Sequence, residues 1–267
     1  MNPTTLAEQY LSARLVTPQY AEHIKRTAGK VASLEPAVIN GYLRARQEEV
    51  SSVTLANERR MLLTLMRYGY ESHLIEEAPR GVMRIRQEQP PVRAWSLGAV
   101  KTLVNTSWKW RGQRFDCGVD KGLFMETWLR LGYDTAARYG DIFSWTKDHL
   151  HGDCICWVMS KTGISMTRRI GHVTQERVRE ILEGRGLLIV GGIINRRYSF
   201  RLFRKLLSEA GMSGSGRWLR RSAATHVEAR KKGSATILLG HKTPTLAYRS
   251  YVDMSQLEED VMVPSID

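Results

Sequence analysis

The sequence predicts a mainly α-helical protein with a small antiparallel β-sheet, built as a helical N-terminal unit followed by a larger mixed one. Three observations lead there. Apolar residues recur at helical spacing, behind recognisable capping residues, through the first 80 positions and again from Thr174 onward. Residues 84–93, RIRQEQPPVR, are polar and hold adjacent prolines, which reads as a linker between units 1–83 and 94–267. Between Asp148 and Ile170 the period shortens to that of strands, broken by the turn sequences His151-Gly152-Asp153 and Lys161-Thr162-Gly163.

Taken in order, Thr4 and Thr5 precede a stretch in which Leu6, Tyr10 and Leu11 share one helical face. Thr17-Pro18 sets a capping residue before a proline at the first helical position and opens a helix through Val31. Glu35-Pro36 starts a third helix with Val38, Tyr42 and Leu43 as its stripe. Ser51 or Ser52 opens a longer one through Arg67, carrying Leu55, Leu62, Leu65 and Met66. Past the linker, Ser96 caps Leu97 to Trp108. Leu123 to Leu131 is apolar and helical, and another helix begins near Thr135. Two short strands flank the His-Gly-Asp turn, a third runs from Ile164 to Ile170, and helices resume at Thr174 and Tyr198. The seven tryptophans, all between Trp95 and Trp218, read as core rather than as base-stacking surface.

The 267 residues carry 40 Lys+Arg against 27 Asp+Glu, a net charge of +13. The excess is uneven. Residues 1–92 hold 12 basic and 10 acidic side chains, whereas residues 93–267 hold 28 and 17. A basic surface confined to one unit favours a polyanionic partner, nucleic acid first. No apolar run approaches the ~20 residues of a membrane span, and the N-terminus MNPTTLAEQY lacks the layout of a secretion signal. Cys117, Cys154 and Cys156 form neither a disulfide framework nor a zinc set, so a reducing, cytoplasmic setting is expected.

Glycine-rich phosphate loops, zinc-binding His-Glu-x-x-His helices and serine nucleophile elbows are absent, and no acidic cluster indicates magnesium. Phosphodiester chemistry without metal needs fixed cations around the transition-state oxygens, a task for which arginine's planar, permanently charged fork is suited. The second unit offers candidates. Arg138 lies in TAARYGD at a helix start, Lys161 in the SKTG turn between strands, and Arg217 and Arg220 at the start of the helix containing LRRSAATH. His241 lies in LLGHKTP just before a helix that carries Tyr248 and Tyr251. Singly, each has an ordinary reading: a surface ion pair of Arg138 with Asp141, a solvated hairpin tip, a basic helix face, a capping histidine and packing aromatics.

As an ordered set, these motifs resemble those of the tyrosine recombinase (phage integrase) family. TAARYGD is similar to its first arginine box, SKTG to its strand-turn lysine, and LRRSAATH with LLGHKTP to its second arginine and histidine boxes. The helical first unit resembles the family's core-binding domain, and AWSLGAVKTL the opening helix of its catalytic domain. Two positions depart from the pattern. Arg217 stands where the family has histidine, and the place about nine residues after the histidine, where the nucleophile falls, is Ser250. Tyr251 requires a one-residue insertion and Tyr248 a two-residue deletion. At i and i+3 both would project from nearly one helical face, and Tyr251-Val252-Asp253 resembles the family ending better.

The resemblance implies a site-specific recombinase in which tyrosine attacks a phosphate of duplex DNA and forms a 3′-phosphotyrosyl bond. Arg138 and Arg220 would hold the non-bridging oxygens and Lys161 would protonate the leaving 5′-oxygen. His241 would bond the phosphate or assist the tyrosine, with Arg217 as an added donor. No cofactor is implied. The partner it implies is double-stranded DNA, with a tetramer on synapsed DNA and a monomer or dimer when free. The resemblance also implies that the acidic tail, with Leu257, Val261 and Met262 as an apolar stripe, docks on a neighbouring protomer. Type IB topoisomerase action, or DNA binding without catalysis, are the alternatives.

Overall fold

Helices α1 (Pro3–Ala13), α2 (Pro18–Ala28) and α3 (Pro36–Gln47) each open on a proline, whose fixed φ and missing N–H suit the first turn. The computed structural model describes residues 2–87, 90–183 and 189–257, and the chain separates into two units, Met1–Pro90 and Pro91–Asp267. Asn2 caps α1 through its side chain, so that helix starts before Thr4. Gly29 closes α2 at Ala28, short of Val31. Ser51 caps α4 (Ser52–Glu71). Leu6, Ile24, Ile39, Leu43, Leu62 and Leu65 are fully buried where these helices meet. At the edge of that core the buried Glu58 takes Lys30 at 2.6 Å and the Tyr42 hydroxyl at 2.7 Å. Ile85, inside the stretch expected as linker, packs on the same core.

The second unit begins with α5 (Leu97–Ser107), capped by Ser96. It is organised around α6 (Lys121–Thr135), which packs against α5, α8 (His172–Leu182) and α10 (Gly216–Arg230). Phe124, Trp145 and Phe203 are among its largest buried side chains. Trp95, Trp110, Trp128, Trp145 and Trp157 are buried and Trp108 is half exposed, so the tryptophans largely do serve packing. Glu126 of α6 is fully buried among arginines, with Arg130 at 2.8 Å, Arg111 at 3.0 Å and Arg177 at 3.3 Å.

Helix α7 (Tyr139–Ser144) starts four residues later than the expected Thr135. The reason is Ala136, which turns left-handed (φ 48°) and ends α6. Strands β1 (Leu150–His151), β2 (Cys154–Val158) and β3 (Ser165–Arg169) form an antiparallel sheet in that order, with Leu150 opposite Ile155 and Cys156 opposite Thr167. Helices α9 (Arg196–Glu209), α11 (Ser234–Leu239) and α12 (Pro244–Ser250) complete the unit. A second, smaller core of Ala136, Ala223, Ala224, Ala235, Ala247 and Leu239 lets α10, α11 and α12 approach closely, because alanine adds little beyond the backbone. Val261 and Met262 of the expected tail lie outside the described residues. Among the described residues no helix is long and apolar enough to cross a membrane.

Candidate active site

The small alanine core converges on Arg220. Its side chain is 5% exposed, held by the carbonyl of Ala136 on one side and by that of Leu239, at 3.2 Å, on the other. The left-handed turn at Ala136 thus presents a carbonyl to Arg220 and delivers Arg138 two residues later. Burial pushes the Arg220 guanidinium down to about 10; Tyr251 opposes that shift and the charge of Arg138 adds to it. Arg220 remains a cation near neutral pH. Its Nε is buried without a hydrogen-bond partner among the described residues.

Arg138 precedes α7 as its half-buried N-cap residue and reaches the Met159 sulfur at 3.1 Å. It does not form the surface ion pair with Asp141 that spacing alone allows. Asp141 is buried (1% exposed), and its Oδ1 accepts from the Ser160 N–H at 3.1 Å and hydroxyl at 2.6 Å. Ser160 adjoins Lys161, which stands exposed on the β2–β3 turn. Asp141 therefore ties the lysine-bearing turn to the helix that follows Arg138.

His241 follows α11, which ends at Gly240 in the left-handed conformation (φ 65°). A Cβ at Gly240 would also come within 2.6 Å of the Met166 sulfur, so conformation and space both call for glycine. Burial pushes His241 down to about 4, with the charges of Arg220 and then Arg138 adding to it, so the ring is neutral at pH 7. Its Nδ1 is buried without a partner among the described residues.

The two tyrosines do not share a face. Tyr248 lies within α12, and its hydroxyl donates to the buried Glu228. Tyr251 lies past the end of α12, at φ −133° and ψ −27°. That departure from helical geometry turns its ring towards the site, 5.1 Å from the His241 ring and 4.9 Å from the Arg220 guanidinium, centre to centre. Arg217, one turn before Arg220 on α10, is exposed, and its charge is felt at Arg221. Arg138, Arg220, His241 and Tyr251 are thus gathered together, Lys161 is linked through its neighbour, and Arg217 stands at the surface.

Sequence reasoning missed two supporting residues. Arg168 of β3 donates to the carbonyls of Ile237 and Leu238, the last turn of α11 before His241. Glu228 accepts from the N–H groups of Gly233 at 2.6 Å and Ala235 at 2.8 Å, holding the start of the same helix. Arg168 is one of two arginines in a strand, and Glu228 one acid on a helix. Neither carries a local signal, because their partners are distant loops or helix ends.

No family profile matches the chain, and no curated protein matches it by sequence. Solved structures do match. A lambda integrase tetramer bound to a Holliday junction superposes with a TM-score of 0.77 at 17% identity, covering 98% of this chain and 79% of that one. The chain has the tyrosine recombinase fold. The Tn1549 transposon integrase in complex with a circular intermediate DNA matches at a TM-score of 0.72 and 10% identity, covering 94% and 95% of the two chains. The XerH site-specific recombinase bound to palindromic difH substrate matches at 0.68 and 12%, covering 96% and 93%. The tyrosine recombinase fold therefore extends over both units, the small sheet and the helices that bring Arg138, Arg220 and His241 together.

Proposed function

We propose that the chain is a site-specific DNA recombinase that cuts and rejoins duplex DNA through a covalent bond from Tyr251 to a 3′-phosphate. The observation that carries the reading is the convergence of Arg138, Arg220, His241 and Tyr251, with Arg220 Nε and His241 Nδ1 buried and unpaired among the described residues. Two cations at close quarters repel each other, and a phosphate between them removes that cost. The Tyr251 oxygen attacks the phosphorus, the bond to the 5′-oxygen breaks, and Lys161 supplies the proton that oxygen takes up. Neutral His241 takes the tyrosine proton, or bonds a phosphate oxygen while that proton passes to solvent. Arg138 and Arg220 hold the charge that grows on the non-bridging oxygens. The phosphodiester energy stays in the protein–DNA bond, so the reverse attack by a 5′-hydroxyl of another strand needs no added energy source.

The known relatives in fold include an integrase dimer on a core site and an integrase tetramer on a Holliday junction. By extension this chain acts as a tetramer on synapsed DNA, in the cytoplasm where that DNA lies. Incubation with a nicked suicide duplex tests the reading: a covalent adduct is expected, and its absence would exclude both recombinase and topoisomerase. Exchange between two marked duplexes then separates strand transfer from relaxation.

A further inference from the structure

Ala94 and Asp253 stand 159 positions apart and are hydrogen-bonded, the Ala94 N–H donating to the Asp253 carboxylate at 2.9 Å. Asp253 is 7% exposed. Its own N–H donates to the Thr225 hydroxyl of α10 at 2.9 Å, and its second carboxylate oxygen takes the Ser255 hydroxyl at 2.7 Å. Gln256 closes the ring, reaching the Ala94 carbonyl at 2.8 Å and the Asp253 carboxylate at 3.1 Å. The stretch by which the chain enters the second unit is therefore bonded to the stretch that leaves Tyr251.

This matters because Tyr251 lies beyond α12 and lacks a helical ladder to fix its backbone downstream. The Tyr251 N–H still donates to the Ala247 carbonyl of α12 at 2.9 Å. Beyond it come Val252, buried in the small core, and then Asp253. Burying a carboxylate is costly unless several donors surround it, and here they do. Burial would raise the Asp253 pKa, but the bonds to Ser255, Ala94 and Gln256 hold it below the ordinary value.

We infer that Asp253 is a positioning residue for Tyr251, its carboxylate latching the segment behind the tyrosine to the entry stretch at Ala94. The inference rests on the recombinase reading above. Ala94 follows Pro90, where the first unit ends, by four residues. A displacement of the connecting stretch is passed to Asp253 and so to the tyrosine two positions before it.

The test uses the full chain, the suicide duplex and single-turnover conditions at saturating protein. Asp253→Ala is expected to slow adduct formation roughly 10- to 100-fold, the range produced by a misplacement on the order of 1 Å. DNA affinity should stay within about twofold, since a positioning role in the chemical step alters rate and not binding. Ala94→Pro deletes the donor on the other side of the latch, while also fixing φ at that position and restricting Arg93, and should slow the reaction in the same way. The double variant should be no slower than the slower single one. An unchanged rate in Asp253→Ala, a parallel loss of affinity and rate in both variants, or an unchanged rate in Ala94→Pro beside a slow Asp253→Ala would overturn the latch. If the parent chain forms no adduct, the recombinase reading falls and the latch with it.

Discussion

Tyr251 and Tyr248 differ by the group each hydroxyl or ring meets, and that difference is measurable. Tyr251→Phe removes one oxygen while keeping the ring against His241 and Arg220, so the covalent adduct should vanish with folding and DNA affinity little changed. Tyr248→Phe should leave the adduct intact but lower stability by about 1 kcal/mol, because Glu228 loses a donor. Peptide mapping of the trapped adduct reports which tyrosine carries the DNA. His241 supplies a second test. It should remain neutral in the free protein until the pH falls to about 4, and a bound phosphate should raise that value by offsetting Arg220 and Arg138. NMR titration of the ring with and without duplex DNA measures both. The arginine and histidine boxes are legible in the sequence because each keeps its neighbours within a few residues. The role of Asp141 is not: its spacing from Arg138 points to a local ion pair, and its partner Ser160 lies on a turn that only the sheet brings near.

At the level of elements, capping side chains and prolines mark most helix starts, and the turn residues mark the sheet. The start of α7 escapes this reading because alanine at position 136 gives no sign of a left-handed bend, where glycine would have. The end of α11 tests the converse case. Gly240→Ala should lose about 1–2 kcal/mol from backbone conformation alone, and more from the approach to Met166, with His241 displaced as a result. Urea unfolding together with the adduct rate would detect both effects. Glu126 fixes α6 against α8 through Arg177, and it is the sole carboxylate given to Arg130 among the described ion pairs. Glu126→Ala leaves Arg130 without its carboxylate, while Arg111 and Arg177 keep Glu180, and should cost about 1.5–3 kcal/mol. Burial raises the Glu126 pKa, but bonds to Arg130 and Arg111 more than offset this, so the folded value lies below the ordinary 4.5. Its contribution is therefore complete above the unfolded value and disappears as pH falls through the folded one. Melting curves between pH 7 and pH 3 should show a steeper acid loss in the parent than in Glu126→Gln.

For the whole molecule, the charge excess of residues 93–267 makes a prediction of its own. DNA affinity should fall steeply with salt on a log–log plot, and residues 1–90 alone should bind more weakly than residues 91–267 under the same conditions. Equal affinity of the two fragments in low salt would contradict a charge-led role for the second unit. The position of Tyr251 bears on a further matter, how the spacing of a side chain along the sequence relates to its place in space. A residue inserted within a helix rotates everything after it by about 100°, since a turn holds 3.6 residues. A residue inserted after the last turn only lengthens the chain, and neighbouring contacts can draw the slack back into place. Tyr251 itself stands beyond Ser250, where α12 has already ended. A search that counts residues from the histidine alone passes over a tyrosine whose ring stands 5.1 Å from it in space.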